Sequence, residues 1–196
     1  MMVRILVLVL SITFLTGCSS MKPEDFAGKE PRFLIEDYFA GRTKAWGIFQ
    51  DRFGTVRRQF QVDIEGTWDG EILTLVEDFR YDDGEREQRT WRIRKTGEHG
   101  YEGSADGVIG KAEGSAFGNA LNWRYDFDLK VGDSSWTVTF DDWLFLQDDG
   151  IVINRAEVTK FGIQIGDLTL VFRKPAATET TQKVGAKNTT ASVTRN

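Results

Sequence analysis

Between Leu121 and Val131 apolar and polar residues alternate without a break. Leu121, Trp123, Tyr125, Phe127, Leu129 and Val131 share one face, and Asn122, Arg124, Asp126, Asp128 and Lys130 share the other. A period of two marks a strand with one covered face. The same beat sets Val56, Phe60, Val62 and Ile64 against Arg57, Gln59, Gln61, Asp63 and Glu65, and returns at Trp136, Val138 and Phe140. Short turn-forming strings separate these runs: Asp82-Asp83-Gly84, Gly132-Asp133 and Asp148-Asp149-Gly150. They supply the positive φ that tight hairpins need. The pattern predicts strands near 43–53, 55–65, 70–80, 86–95, 99–105, 108–117, 119–131, 134–146, 150–160 and 163–173.

About ten strands joined by tight hairpins form a meander, and one of that length removes its edges by closing. The predicted fold is therefore all-β, a single antiparallel meander β-barrel over residues 32–174, with no proline between Gly41 and Lys174. The stretch Phe33 to Ala40 reads as a short helix or an edge strand leading in. Alternation does not say which face is inside: a membrane-spanning barrel turns apolar rows to lipid, a water-borne one turns them inward. Too few aromatics stand at strand ends to form two interfacial girdles, which favours the inward arrangement. Gly103, Gly107, Gly110, Gly114 and Gly118 predict a sharply curved or narrow part of the wall. Asp141-Asp142, between Phe140 and Trp143, breaks the beat as a bulge would.

The front of the chain changes the picture. An apolar run from Val3 to Leu15, with Arg4 as the charge of its n-region, closes on Leu15-Thr16-Gly17-Cys18, whose cysteine is the single one in the sequence. That is the form of a lipoprotein signal, cleaved after residue 17 once the thiol of Cys18 is acylated. The run falls short of the roughly 20 apolar residues that span a bilayer. Residues 18–31, with Pro23 and Pro31, read as a lipidated tether, and residues 175–196 as a disordered polar tail. Ser19 and Ser20 leave out the aspartate of inner-membrane retention, so the expected address is the periplasmic face of the outer membrane. The chain has 30 acidic and 25 basic residues among 196. The tail holds Lys183, Lys187 and Arg195 against Glu179, so the body is more acidic still, a poor surface for nucleic acid.

Several strings resemble an uncharacterised family of Gram-negative lipoproteins, domain of unknown function 3833. They are Ala45-Trp46-Gly47-Ile48-Phe49-Gln50-Asp51-Arg52-Phe53-Gly54, then Leu75, Glu77 and Phe79 before Tyr81-Asp82-Asp83-Gly84, and Gly118-Asn119-Ala120 before Trp123 and Tyr125. Phe140-Asp141-Asp142-Trp143, Asn154-Arg155-Ala156 and Lys160-Phe161-Gly162 complete the set. The resemblance covers most of residues 31–174. It implies a barrel of calycin or lipocalin-like outline and a genomic setting near enzymes that modify fatty acyl chains. It implies no mechanism.

Candidate chemistry starts from charges on rows that should face inward. Arg58 stands between Val56 and Phe60, Arg89 shares a face with Trp91 and Ile93, and Arg155 with Glu157 continues the row of Ile151 and Ile153. A charge there is costly unless paired or solvated. Either these guanidiniums meet the carboxylate or phosphate of a lipid, or they pair with Glu77, Glu157 or Asp141 as structural ion pairs. Six tryptophans are many for one small domain; Trp91, Trp123, Tyr125 and Trp143 are the expected pocket lining, with core packing as the alternative. The expected ligand site is thus Arg58, Arg89, Trp91, Trp123, Tyr125, Trp143 and Arg155. The leading functional expectation is a lipid or fatty-acid binding or carrier module. Two others stand beside it: a filled barrel that presents its outside to a protein partner, and an enzyme or enzyme accessory in acyl-chain modification using Glu77, Arg89, Asp141 and Asp142. His99 is the single histidine, the acidic turns lack the ligand spacing of a calcium loop, and no phosphate-loop pattern occurs. No catalytic residue, metal or cofactor is expected.

Overall fold

The computed structural model describes residues 20–132 and 134–175. Ten strands follow in order: β1 (Gly41–Asp51), β2 (Val56–Trp68), β3 (Ile72–Tyr81), β4 (Arg86–Lys95), β5 (Gly100–Ser104), β6 (Val108–Phe117), β7 (Ala120–Val131), β8 (Ser134–Leu146), β9 (Val152–Lys160) and β10 (Ile163–Arg173). Each pairs antiparallel with the next, and β1 pairs with β10 to close the wall. The meander barrel expected from alternation is the fold. The apolar rows face inward: Phe60, Val62 and Ile64 from β2, Leu73, Leu75 and Phe79 from β3, Trp91 and Ile93 from β4 all belong to the core, while Arg92, Arg94 and Arg124 are exposed.

The run after Phe33 forms a short helix, α1 (Ile35–Phe39). Ile35 and Phe39 lie one turn apart, hence on one face. That face plugs one end of the barrel, where the Phe39 ring meets Phe172 edge-on at 5.5 Å. Glu36 accepts from Lys95 Nζ at 2.7 Å and from the Tyr101 hydroxyl at 2.8 Å, and the Tyr38 hydroxyl donates to the Gly150 carbonyl at 3.0 Å. These tie the helix to three strands or turns of the wall. The stretch read as a tether lies against the outside: after a helical turn at Pro23–Phe26, the Phe26 ring packs 5.9 Å from Trp143 and 5.5 Å from Phe145. Cys18 and the tail beyond Pro175 fall outside the described residues.

Glycine on β5 and β6 has a specific use. A Cβ on Gly114 would stand 2.3 Å from the Trp123 ring, and one on Gly103 would stand 2.8 Å from it. The two bare positions form the bed on which that indole lies. β6 carries a register shift against β7 between Ile109 and Glu113, the stretch that holds Gly110. The bulge expected at Asp141-Asp142 is absent: β8 keeps unbroken register with both neighbours. Continuous alternation therefore turns Asp142 inward between Phe140 and Leu144 and leaves Asp141 and Trp143 on the outer face.

Candidate functional site

The strands leave the middle of the barrel incompletely filled. A cavity of about 140 Å³ lies above the plug, lined among others by Ile35, Phe39, Leu75, Trp91, Trp123 and Leu170. Its size is close to the roughly 150 Å³ of an engineered apolar cavity that stays dry and binds benzene. A second chamber of about 280 Å³ lies toward the other end, lined by Phe49, Phe127, Phe140, Leu129, Arg58 and Lys130. Phe60, Phe79, Arg89, Tyr125 and Leu168 border both chambers and form the waist between them. One end is sealed by α1; the other is a mouth framed by the β1–β2, β3–β4, β5–β6, β7–β8 and β9–β10 hairpins.

Polar groups gather at this waist. Glu77 on β3 and Arg89 on β4 are direct partners in register. Arg89 Nη2 binds Glu87 Oε1 at 2.6 Å, and the Tyr81 hydroxyl donates to the other Glu87 oxygen at 2.9 Å. The guanidinium also lies over the Phe127 ring at 4.7 Å and the Phe79 ring at 5.1 Å, a geometry that favours a cation. Across the cavity, Asn154 on β9 donates Nδ2 to Asp142 Oδ1 at 2.6 Å. Asp142 and Asn154 are each only 4 % exposed. Three atoms here are buried without a hydrogen-bond partner in the protein: Asp142 Oδ2, Asn154 Oδ1 and Arg89 Nε. Such orphans are costly, and their coincidence at the wall of one cavity marks it as a place for a polar guest.

Burial dominates the electrostatics. It pushes the Glu77 carboxyl up to about 7, opposed by Arg89 and reinforced by Glu87 and Asp142. It pushes Asp142 up to about 7 as well, opposed by hydrogen bonds from Asn154 and Tyr125 and reinforced by Asp141. Burial also raises the Tyr125 phenol well above its ordinary value, and the Asp142 carboxylate adds to this. It works against the Arg89 charge, but Glu77 and Glu87 outweigh it and raise that pKa. The positive charge at the waist is thus already matched by carboxylates. With Glu77 and Asp142 both ionised, an arriving anion meets a surplus of its own sign.

The structure brings four of the sequence-predicted residues together: Arg89, Trp91, Trp123 and Tyr125 border the inner cavity. The indole of Trp91 meets Trp123 edge-on at 5.8 Å and Tyr125 at 5.3 Å. Arg58 stands apart at the mouth, paired with Asp83 at 3.1 Å and with Glu85, its guanidinium 3.6 Å over the Tyr81 ring. Trp143 faces outward against Phe26, because the strand carries no bulge to turn it in. Arg155 also lies outside, its side chain 74 % exposed and 3.8 Å from Asp167. The inward row of β9 is Val152, Asn154, Ala156 and Val158, one residue out of step with the row expected from Ile151 and Ile153. Asp141 binds Arg124 at 2.9 Å and Asn122 at 2.6 Å on the outer face. Of the polar set Glu77, Arg89, Asp141 and Asp142, three therefore share the waist and Asp141 does not. Sequence reasoning did not place Asn154 in the site; the available signal was that it alternates with Val152, Ala156 and Val158, a row whose side chains are too small to stand out beside Ile153.

Neither the residues of the cavity nor any other described cluster of carboxylates and histidine forms a metal site. No described helix is long and apolar enough to cross a membrane. The chain matches the family described as Protein of unknown function (DUF3833) over residues 12–174, and it belongs to that family. No curated protein matches it.

Proposed function

We propose that this chain is a lipid-anchored binding protein that holds a small amphiphile inside its barrel, acylated at Cys18 and displayed on the periplasmic face of the outer membrane. The ligand's apolar part fills the slot above the plug, and its head reaches the waist. The observation that carries this reading is the apolar cavity with three orphaned polar atoms, Asp142 Oδ2, Asn154 Oδ1 and Arg89 Nε, in its wall. Two acceptors and one donor suit a head that both gives and takes hydrogen bonds, such as a hydroxyl. Each methylene removed from water contributes about 0.8 kcal/mol, so even a short chain binds measurably once association costs are offset. A carboxylate head is opposed by Glu77 and Asp142 at alkaline pH and enters only together with a proton.

The test uses a chain-matched series of 1-octanol, octanoate and octylamine, followed by tryptophan fluorescence and calorimetry at pH 6 and pH 8. Octanol should bind at both values, and octanoate should weaken at least tenfold from pH 6 to pH 8. If none of the three binds at either pH, the carrier reading falls. Octanoate binding tightest at pH 8, and lost in Arg89→Met, would keep the carrier but overturn the uncharged head.

A further inference from the structure

The mouth of the barrel is uneven. Around the β1–β2, β9–β10 and β7–β8 hairpins, large apolar side chains stand in solvent: Phe53 at 78 % exposure, Phe161 at 91 % and Ile163 at 62 %, with Val56, Val131 and Trp136 beside them. These hairpins are neighbours in the closed wall, and the Arg52 N–H donates to the Ile165 carbonyl at 3.0 Å to join the first two. Cations sit among the apolar tips. The Arg52 guanidinium lies 4.9 Å over the Phe53 ring, and Lys160 Nζ lies 3.6 Å over the Trp136 ring. Lys130 is exposed beside Val131, and Asp51 on this side is held by Arg57 at 2.7 Å. The β3–β4 turn across the mouth carries Asp82, Asp83 and Glu85 and has no exposed large apolar residue. Phe161 adds a second sign: its φ is 53°, a left-handed conformation, and it is the one non-glycine residue with positive φ among those described. Phe161 and Gly162 form the two-residue β9–β10 loop, where the hairpin twist requires positive φ at both positions; asparagine or glycine takes that conformation easily and a bulky ring is strained in it, yet here the ring stands in solvent with Lys160 Nζ 5.6 Å from its centre.

We propose that this half of the mouth is a docking lip for an anionic lipid surface: the rings of Phe53 and Phe161 and the Ile163 side chain enter the acyl boundary while Arg52, Lys130 and Lys160 stay at headgroup level. Apolar tips backed by cations fit the layering of a bilayer interface, apolar inside and negative at its surface. The turn opposite, where Arg58 pairs with Asp83 and Glu85, offers the surface no apolar tip, so the barrel leans on one lip and its mouth opens at the membrane edge. The inference stands whether or not the interior holds a ligand.

Residues 20–175 contain every described strand, the plug and both core clusters, so this stretch carries the whole described core and its binding is free of any acyl anchor. Vesicle flotation of that fragment, with phosphatidylcholine alone and with added phosphatidylglycerol, tests the lip. The fragment should float with the anionic vesicles and release at high salt. The pair Phe53→Ser and Phe161→Ser should weaken this at least tenfold. Lys160→Glu should weaken binding severalfold on anionic vesicles. Phe161→Asn, which tolerates the left-handed conformation, should raise Tm and still lose binding, separating docking from folding. No flotation with any vesicle would overturn the lip. Binding unchanged by these substitutions, or a sedimenting dimer that the Phe53 and Phe161 pair abolishes, would do the same.

Discussion

Glu36 and Asp142 are both closed off from solvent, 8 % and 4 % exposed, but Glu36 lies at the plugged end of the barrel and Asp142 deep in its middle, and their carboxyls shift in opposite directions. Burial opposes the charge of both. At the plug, hydrogen bonds from Lys95 and Tyr101 outweigh it and hold Glu36 below the usual carboxylate range. At the waist, the Asn154 amide and the Tyr125 hydroxyl do not, and Asp142 is pushed up to about 7. A carboxylate with its full set of donors is a fastener. One left half-served beside a cavity is a site, because the missing partner can come from outside.

The largest effect should come from breaking the fastener. Glu36→Ala leaves Lys95 and Tyr101 without their acceptor and should cost about 3 kcal/mol of unfolding free energy in a urea titration. Next comes the pH dependence, where the two regions have opposite signs. Because Glu36 is lowered, its contribution is present above its unfolded pKa and lost as pH falls through the folded value. Glu77 and Asp142 are raised, so their contribution is full below about pH 4 and lost as pH rises toward about 7. The unfolding free energy should therefore fall across that window, and Asp142→Asn should flatten the fall while Glu36→Ala should not.

A smaller effect sharpens the contrast from the cavity side. Gly114→Ala drives the Trp123 indole off its bed toward the slot, and octanol affinity should drop about tenfold, or 1.4 kcal/mol. The smallest belongs to Arg155→Met on the outer wall, which should leave affinity unchanged and move stability by no more than about 0.5 kcal/mol. Altered octanol affinity in that variant would place the site elsewhere.

Nearly all of the wall was legible in the sequence, because each strand except β5 is long enough for its period of two to show and each turn carries its own glycine or aspartate. The short helix was half legible: Ile35 and Phe39 have the right spacing, but five residues are too few to distinguish a helical period from an alternating one. The site was harder. Arg89, Trp91, Trp123 and Tyr125 lie on rows with large apolar neighbours, which fixes the facing side. Asn154 and Arg155 do not: their inward neighbours are small, so Ile153 on the outer face made the wrong row look apolar. At Asp142 the charge itself was the obstacle. A carboxylate in an apolar row looks like an interruption until the register shows that the row runs through it.

The seam between β1 and β10 has a kinetic consequence. Every other pairing in the wall joins strands adjacent in sequence. Those hairpins assemble by local chain closure, each over a short loop, whereas the seam must bring together segments more than a hundred residues apart. Zippering the wall is thus a series of cheap local steps followed by one dear one, and refolding should be limited by the moment the sheet curls round to meet its own first strand.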